Sequence, residues 1–168
     1  MITHARGSGL TGRRRGRLAL LTAAALTAFL GLGPLAGPAS ASSPTETALS
    51  ETGWTASSNT NSSAGDAPAN AIDGNLSTRF SSDADQASGM YFQVNLGSVQ
   101  TFNQIELNSG GSSGDYARGY NVEVSNDGST FTTVDSETGT ASPETATFPT
   151  QTAQYIRVVL TAASTTSW

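Results

Sequence analysis

The 168-residue chain contains no cysteine, no lysine and a single histidine, His4. These absences exclude the usual zinc sites, Ser-His-Asp and Cys-His catalysis, and lysine Schiff-base chemistry. Charge is split along the chain: five of the eight arginines precede Leu18, and from Glu46 onward three arginines face thirteen acids. The resulting net charge of −10 repels phosphate backbones and anionic lipid, so neither nucleic acid nor a membrane surface is an expected partner.

In chain order, the first segment reads as a leader. Residues 1–17 are basic, Leu18 to Leu32 form an uncharged apolar run, and Gly33, Pro34, Gly37 and Pro38 then break any helix. Ala39-Ser40-Ala41 has the small-x-small form that signal peptidase accepts, so residues 1–41 are expected to be a cleaved secretory signal. The apolar run is shorter than the roughly 20 residues of a membrane-spanning helix. Arg14-Arg15 is followed by Gly16, a weak twin-arginine match, which favours the general secretory route. Residues 42–52 (SSPTETALSET) read as a polar linker, and residues 53–168 as one extracellular domain, expected to be a monomer, that must fold without disulfides.

Within that domain apolar and polar residues alternate with period two, the mark of half-buried strands. Met90–Leu96 places Met90, Phe92, Val94 and Leu96 on one face. In Gly119–Ser125, Tyr120, Val122 and Val124 share a face; Asn126-Asp127-Gly128 then supplies a turn into Thr130–Val134. Gln154–Leu160 repeats the pattern, and Phe102–Leu107 and Thr145–Phe148 are weaker strand candidates. Several short strands without a convincing helix predict an all-β antiparallel sandwich. Asn59–Ala67, Ser81–Gly89 and Asn108–Asp115 become loops at its ends, where ligands are met.

Pro68 to Phe80 (PANAIDGNLSTRF) is the densest segment. Asn70, Asp73, Asn75 and Thr78 concentrate carboxylate, amide, hydroxyl and backbone oxygens around the Asp73-Gly74 turn, donors suited to a hard cation such as calcium. The spacing is not that of an EF-hand, and a plain surface turn is the alternative reading.

Ala71-Ile72-Asp73-Gly74-Asn75 with Ser77-Thr78-Arg79-Phe80 resembles the signature of the coagulation factor V/VIII type C, or discoidin, domain. So do Tyr91-Phe92-Gln93-Val94-Asn95-Leu96-Gly97, Asp115-Tyr116-Ala117-Arg118-Gly119-Tyr120, Ser125-Asn126-Asp127-Gly128 and Gln154-Tyr155-Ile156-Arg157-Val158, all in the expected order. Bacterial members are largely family 32 carbohydrate-binding modules. The resemblance implies an eight-stranded, galactose-binding-like jelly roll. It also implies a structural Ca2+ held by the Asn70 carbonyl, the Asp73 carboxylate, Asn75 and Thr78. Phe80 stands where Trp is usual, and the chain stops at Trp168, before the family's final strand and its acidic calcium ligand. A C-terminally truncated piece of a longer secreted protein is therefore expected.

Sugar-binding sites combine a flat aromatic with amides, carboxylates and arginine. The candidates are Asp83, Asp85 and Gln86 in one loop, Asn108, Asp115, Tyr116 and Arg118 in another, and Trp168 as the stacking platform; Arg79 is expected to bridge loops. The leading expectation is a secreted, non-catalytic module that holds a polysaccharide-degrading enzyme on its glycan. A protein-adhesion discoidin module and the N-terminal fragment of a glycoside hydrolase are the alternatives. Hydrolysis by the visible residues would need a carboxylate pair, and Glu106 and Glu123 fall on alternating strands where they face solvent.

Overall fold

The computed structural model describes residues 2–7 and 47–168. Among these residues the strands are β1 (Ile2–Gly7), β2 (Thr47–Ala48), β3 (Thr55–Ser58), β4 (Asp85–Gln86), β5 (Tyr91–Asn108), β6 (Tyr120–Ser125), β7 (Thr132–Glu137), β8 (Glu144–Leu160) and β9 (Ser164–Ser167). Two short 3-10 helices cover Ala64–Asp66 and Pro68–Ile72. The main antiparallel sheet runs β2-β1-β5-β8-β6-β7 with β3 also on β5, and β4 pairs with β9. This is the all-β sandwich that the alternation predicts.

Segments expected as separate strands prove continuous. β5 contains both Met90–Leu96, less its first residue, and Phe102–Leu107, joined through an exposed bend at Gly97–Val99. Phe92, Val94, Leu96 and Phe102 point inward; a register shift between Phe102 and Gln104 then hands the buried role to Ile105 and Leu107. β8 likewise joins Thr145–Phe148 to Gln154–Leu160, burying Ala146 and Phe148 before Ala153 and then Ile156, Val158 and Leu160. Irregularities of one residue swap the face that points inward, which hides strand continuity from a period-two reading. β7 starts at Thr132 because Asp127 Oδ1 accepts the amide protons of Ser129 and Thr130, which lengthens the turn.

The core closes around aromatic rings. Phe80 lies 5.0 Å from Phe92, Trp168 meets Phe80 edge-on at 6.0 Å, and Phe102 meets Phe148 edge-on at 6.1 Å. Phe80 is 2% exposed, so phenylalanine serves here as a core residue.

β1 lies antiparallel along Gln104–Asn108 of β5. The first residues of the expected leader therefore pair in the sheet, whereas Leu18–Leu32 and Ala39-Ser40-Ala41 lie outside the described residues. Removal of residues 1–41 would take β1 with it and leave that edge of β5 unpaired. Among the described residues, no helix is long and apolar enough to cross a membrane.

Candidate functional site

Loops at one end of the sandwich form a series of adjoining depressions. A shallow groove is lined by Gly65, Asp66, Leu76 to Arg79, Ser109, Gly111 and Ser112. Arg79, Ser109 and Ser112 also line a first small pit, together with Phe80, Ser81, Asp115, Ser167 and Trp168. Ser109, Asp115 and Trp168 continue into a second pit with Asn108, Tyr116, Ser142 and Glu144. Hydroxyls, one amide and carboxylates thus surround an aromatic floor, the composition expected of a saccharide site.

The walls are tied together by short polar contacts. The Ser109 amide donates to Ser142 Oγ at 2.7 Å, and Ser109 Oγ donates to the Ser112 carbonyl at 2.6 Å. Arg79 Nε pairs with Asp66 at 3.1 Å, so Arg79 bridges loops as its sequence position suggests. Two close approaches require glycine. A Cβ on Gly139 would stand 1.8 Å from the Ala117 carbonyl oxygen, and one on Gly110 would stand 2.9 Å from that of Leu76. Leu76 itself is 56% exposed at the groove rim, an apolar contact open to solvent.

The turn beside the groove brings three of the four expected metal ligands together. Asp73 accepts the Asn75 amide at 2.8 Å and the Thr78 hydroxyl at 2.6 Å, and Thr78 Oγ1 lies 2.7 Å from the Asn75 carbonyl. Gly74, at φ +73°, makes the reversal possible. The Thr78 hydroxyl, followed by the Asn75 amide, holds the Asp73 carboxyl below its usual range, so it is ionised at neutral pH. Asn70 differs: its amide donates to the Gly65 carbonyl at 2.8 Å, which leaves only its main-chain oxygen for the role expected of it. The donors are the hard oxygens calcium takes, and to that extent they fit. They include one carboxylate, and no group of three acidic, histidine or cysteine side chains among the described residues is placed to hold a metal.

The expected sugar-contact residues divide into two groups. Asn108 and Tyr116 line the second pit, and Asp85 is exposed. Gln86 and Trp168 have other roles. Gln86 is 2% exposed; its Nε2 donates to the Tyr116 carbonyl at 2.9 Å, and its Oε1 accepts the Arg118 amide at 3.1 Å. It positions the 114–118 loop from beneath and offers nothing to a ligand. Trp168 is 4% exposed, and its amide donates to Ser82 Oγ at 3.1 Å. Its ring is a pit floor continuous with the core, not an open platform. The Arg118 guanidinium lies 3.5 Å from the Tyr116 ring centroid and donates to the Gly114 carbonyl at 3.0 Å. Arg118 therefore covers one face of that ring.

Ser109, Ser112 and Ser142 escaped the sequence reading because serine is too common in this chain to stand out. Glu144 carried a weak signal: its neighbours Ala146 and Phe148 predict that it points inward, since its place in the alternation matches theirs.

Residues 53–168 match the F5/8 type C domain. The chain belongs to this family. Among solved structures it is similar to chitosan-binding module 2 of a chitosanase/glucanase from Paenibacillus sp. IK-5, determined in complex with chitotriose. That match has 36% identity and a TM-score of 0.59, covering 67% of this chain and 87% of that one. Chitosan-binding module 1 of the same enzyme is 35% identical, with a TM-score of 0.55 over 67% of this chain and 83% of that one. The family 32 module of NanJ from C. perfringens, in complex with galactose, shares the fold at 22% identity, with a TM-score of 0.60 over 68% and 86% of the two chains. No curated protein matches the chain. The fold is accordingly a jelly roll of the family 32 carbohydrate-binding type, and residues 53–168 form a non-catalytic, glycan-binding domain.

Proposed function

We propose that the protein is exported and that its F5/8 type C domain retains an attached polysaccharide-degrading activity on a glycan. The observation that carries this reading is the joined groove and pits, walled by Ser109, Ser112, Asp115, Ser142 and Glu144 over Trp168. Such a surface offers paired hydrogen bonds to sugar hydroxyls and apolar contact to a ring face. Tethering raises the local concentration of a partner domain without any chemistry by the module itself. The basic, apolar, small-residue order of residues 1–41 supports export.

Calcium belongs to the same proposal. Asp73, Asn75, Thr78 and the Asn70 carbonyl would hold it, and its role would be to brace the turn beside the groove. Sugar-array and insoluble-polysaccharide retention assays on the purified chain test the function: specific, saturable retention on a glycan is expected, and no retention on any glycan would remove the reading. For the ion, a chelator is expected to lower the melting temperature and added Ca2+ to restore it.

A further inference from the structure

The second pit is unusually acidic. Asp115 and Glu144 line it, and no arginine does. The chain has no lysine, and its three arginines outside the leader are engaged elsewhere: Arg79 with Asp66, Arg157 with Glu123, and Arg118 with Tyr116 and backbone carbonyls. Arg79 also acts electrostatically on neighbouring Asp115, so that carboxylate is partly balanced. Glu144 is not. It points inward beside Ala146 and lies under the 138–143 loop, its Oε2 2.9 Å from where a Gly139 Cβ would stand.

Two further acids back Glu144. On β7, Glu137 and Asp135 face Tyr120 and Val122 of β6 across the ladder, on the inward side of the sheet. Inside this acidic corner the Tyr120 hydroxyl is fully buried and makes no hydrogen bond; its charged neighbours, strongest first, are Glu144, Glu137 and Asp135. One oxygen of Asp135, Oδ2, is also buried without a partner. Native interiors rarely leave such groups unpaired or concentrate negative charge without an opposite charge. The field gathered here selects for a cation. The pit is also narrow: about 10 Å3 is open to the centre of a water-sized group, room for one such group and not for an acetamide.

We infer that Glu144, seconded by Asp115, makes the second pit a receptor for the free ammonium of an amino sugar, so that the module prefers de-N-acetylated glucosamine units to N-acetylated or neutral ones. This rests on the glycan-binding reading and adds the ligand's charge to it. Asn108, Ser109 and Ser142 would meet the ring hydroxyls around the buried ammonium, and Tyr116 would meet a face of the sugar.

Calorimetric titration of the full chain with glucosamine trimer, N-acetylglucosamine trimer and galactose tests the inference. The expected result is binding of the glucosamine trimer about 10- to 100-fold tighter than of its acetylated form, the range of a charge-assisted hydrogen bond. Rising salt should weaken this binding, and Glu144→Gln should remove most of the preference while the protein stays folded. Asp115→Asn, at the more exposed wall, should reduce it less. Equal or tighter binding of the N-acetylated trimer or of galactose would overturn the inference and leave the glycan-binding function standing. So would a folded Glu144→Gln protein with its preference intact. Binding of none of the three sugars, together with no retention on any polysaccharide, would overturn both.

Discussion

Trp168→Ala separates a core role from a ligand-platform role. The indole is 4% exposed and meets Phe80 edge-on at 6.0 Å, while Phe80 packs on Phe92 at 5.0 Å. Removing it should leave a cavity beneath both pits. Truncation of a buried tryptophan to alanine costs about 3–5 kcal/mol. Trp168 is the last residue, bordered by two small pits, so its surroundings can relax and the lower end of that range is expected. In a domain of this size, a loss near 3 kcal/mol lowers the melting temperature by roughly 10–15 °C. Trp168→Phe keeps a ring against Phe80 and should cost about 1–2 kcal/mol. Thermal unfolding followed by circular dichroism, alongside calorimetric titration with the tightest-binding glycan, reads both properties. If Trp168→Ala melts like the parent and loses only glycan affinity, the ring is a surface platform and its assignment to the core is wrong.

Three further outcomes follow from the geometry. Gln86→Leu leaves the Tyr116 carbonyl and the Arg118 amide without their buried partner, and should cost about 2–3 kcal/mol in thermal unfolding while weakening glycan binding through the 114–118 loop. Tyr120→Phe removes a buried hydroxyl that has no hydrogen-bond partner, so it should raise stability by about 1 kcal/mol; a loss of more than that would show that the hydroxyl is paired. Stability should vary with pH in opposite directions for two sets of carboxyls. Burial first, then Asp135, raises the Glu137 carboxyl, and burial first, then Glu137, raises that of Glu144. Both are therefore easier to ionise in the unfolded chain, and stability should fall as pH rises through 4.5 and past their raised values. The exposed Asp127 carboxyl is held at about 2, first by the amides of Thr130 and Ser129, and its contribution should disappear as pH drops from 3.8 through that value. Urea unfolding from pH 2 to 8 checks this, and Glu137→Gln should flatten the decline above pH 4.5.

The strands were the most legible part of the sequence because burial writes a period of two into it. Phe92, Val94 and Leu96 announce one part of β5, and Ile156, Val158 and Leu160 one part of β8. The joins were not legible. At the Phe102–Gln104 irregularity the inward set changes from even to odd positions, so one strand reads as two weaker pieces. β9 was missed because Ser164–Ser167 (STTS) has no apolar alternation; the two residues of β4 hold it there.

Side-chain roles at the site were harder to read for a related reason. Gln86 and Trp168 have the composition of ligand contacts, yet long-range packing decides that one supports a loop and the other floors a pit. The Asp73–Thr78 turn lay within local reach, because its carboxylate, carbonyl and hydroxyl meet within six residues. Asn70 falls outside that turn, and its amide bonds to Gly65 instead. Glu144 acquires its importance only when β6, β7 and β8 place Tyr120, Glu137 and Asp135 behind it.

The central claim is that the loop end of the sandwich binds a sugar and leaves it chemically unchanged. Backbone amide shift mapping by NMR, with glycan added stepwise and the sugar analysed afterwards, tests it most directly. Saturable shifts should cluster at residues 76–82, 108–117 and 141–144, and the glycan should be recovered intact. Shifts centred elsewhere on the sandwich, or appearance of cleaved sugar in the tube, would contradict the account.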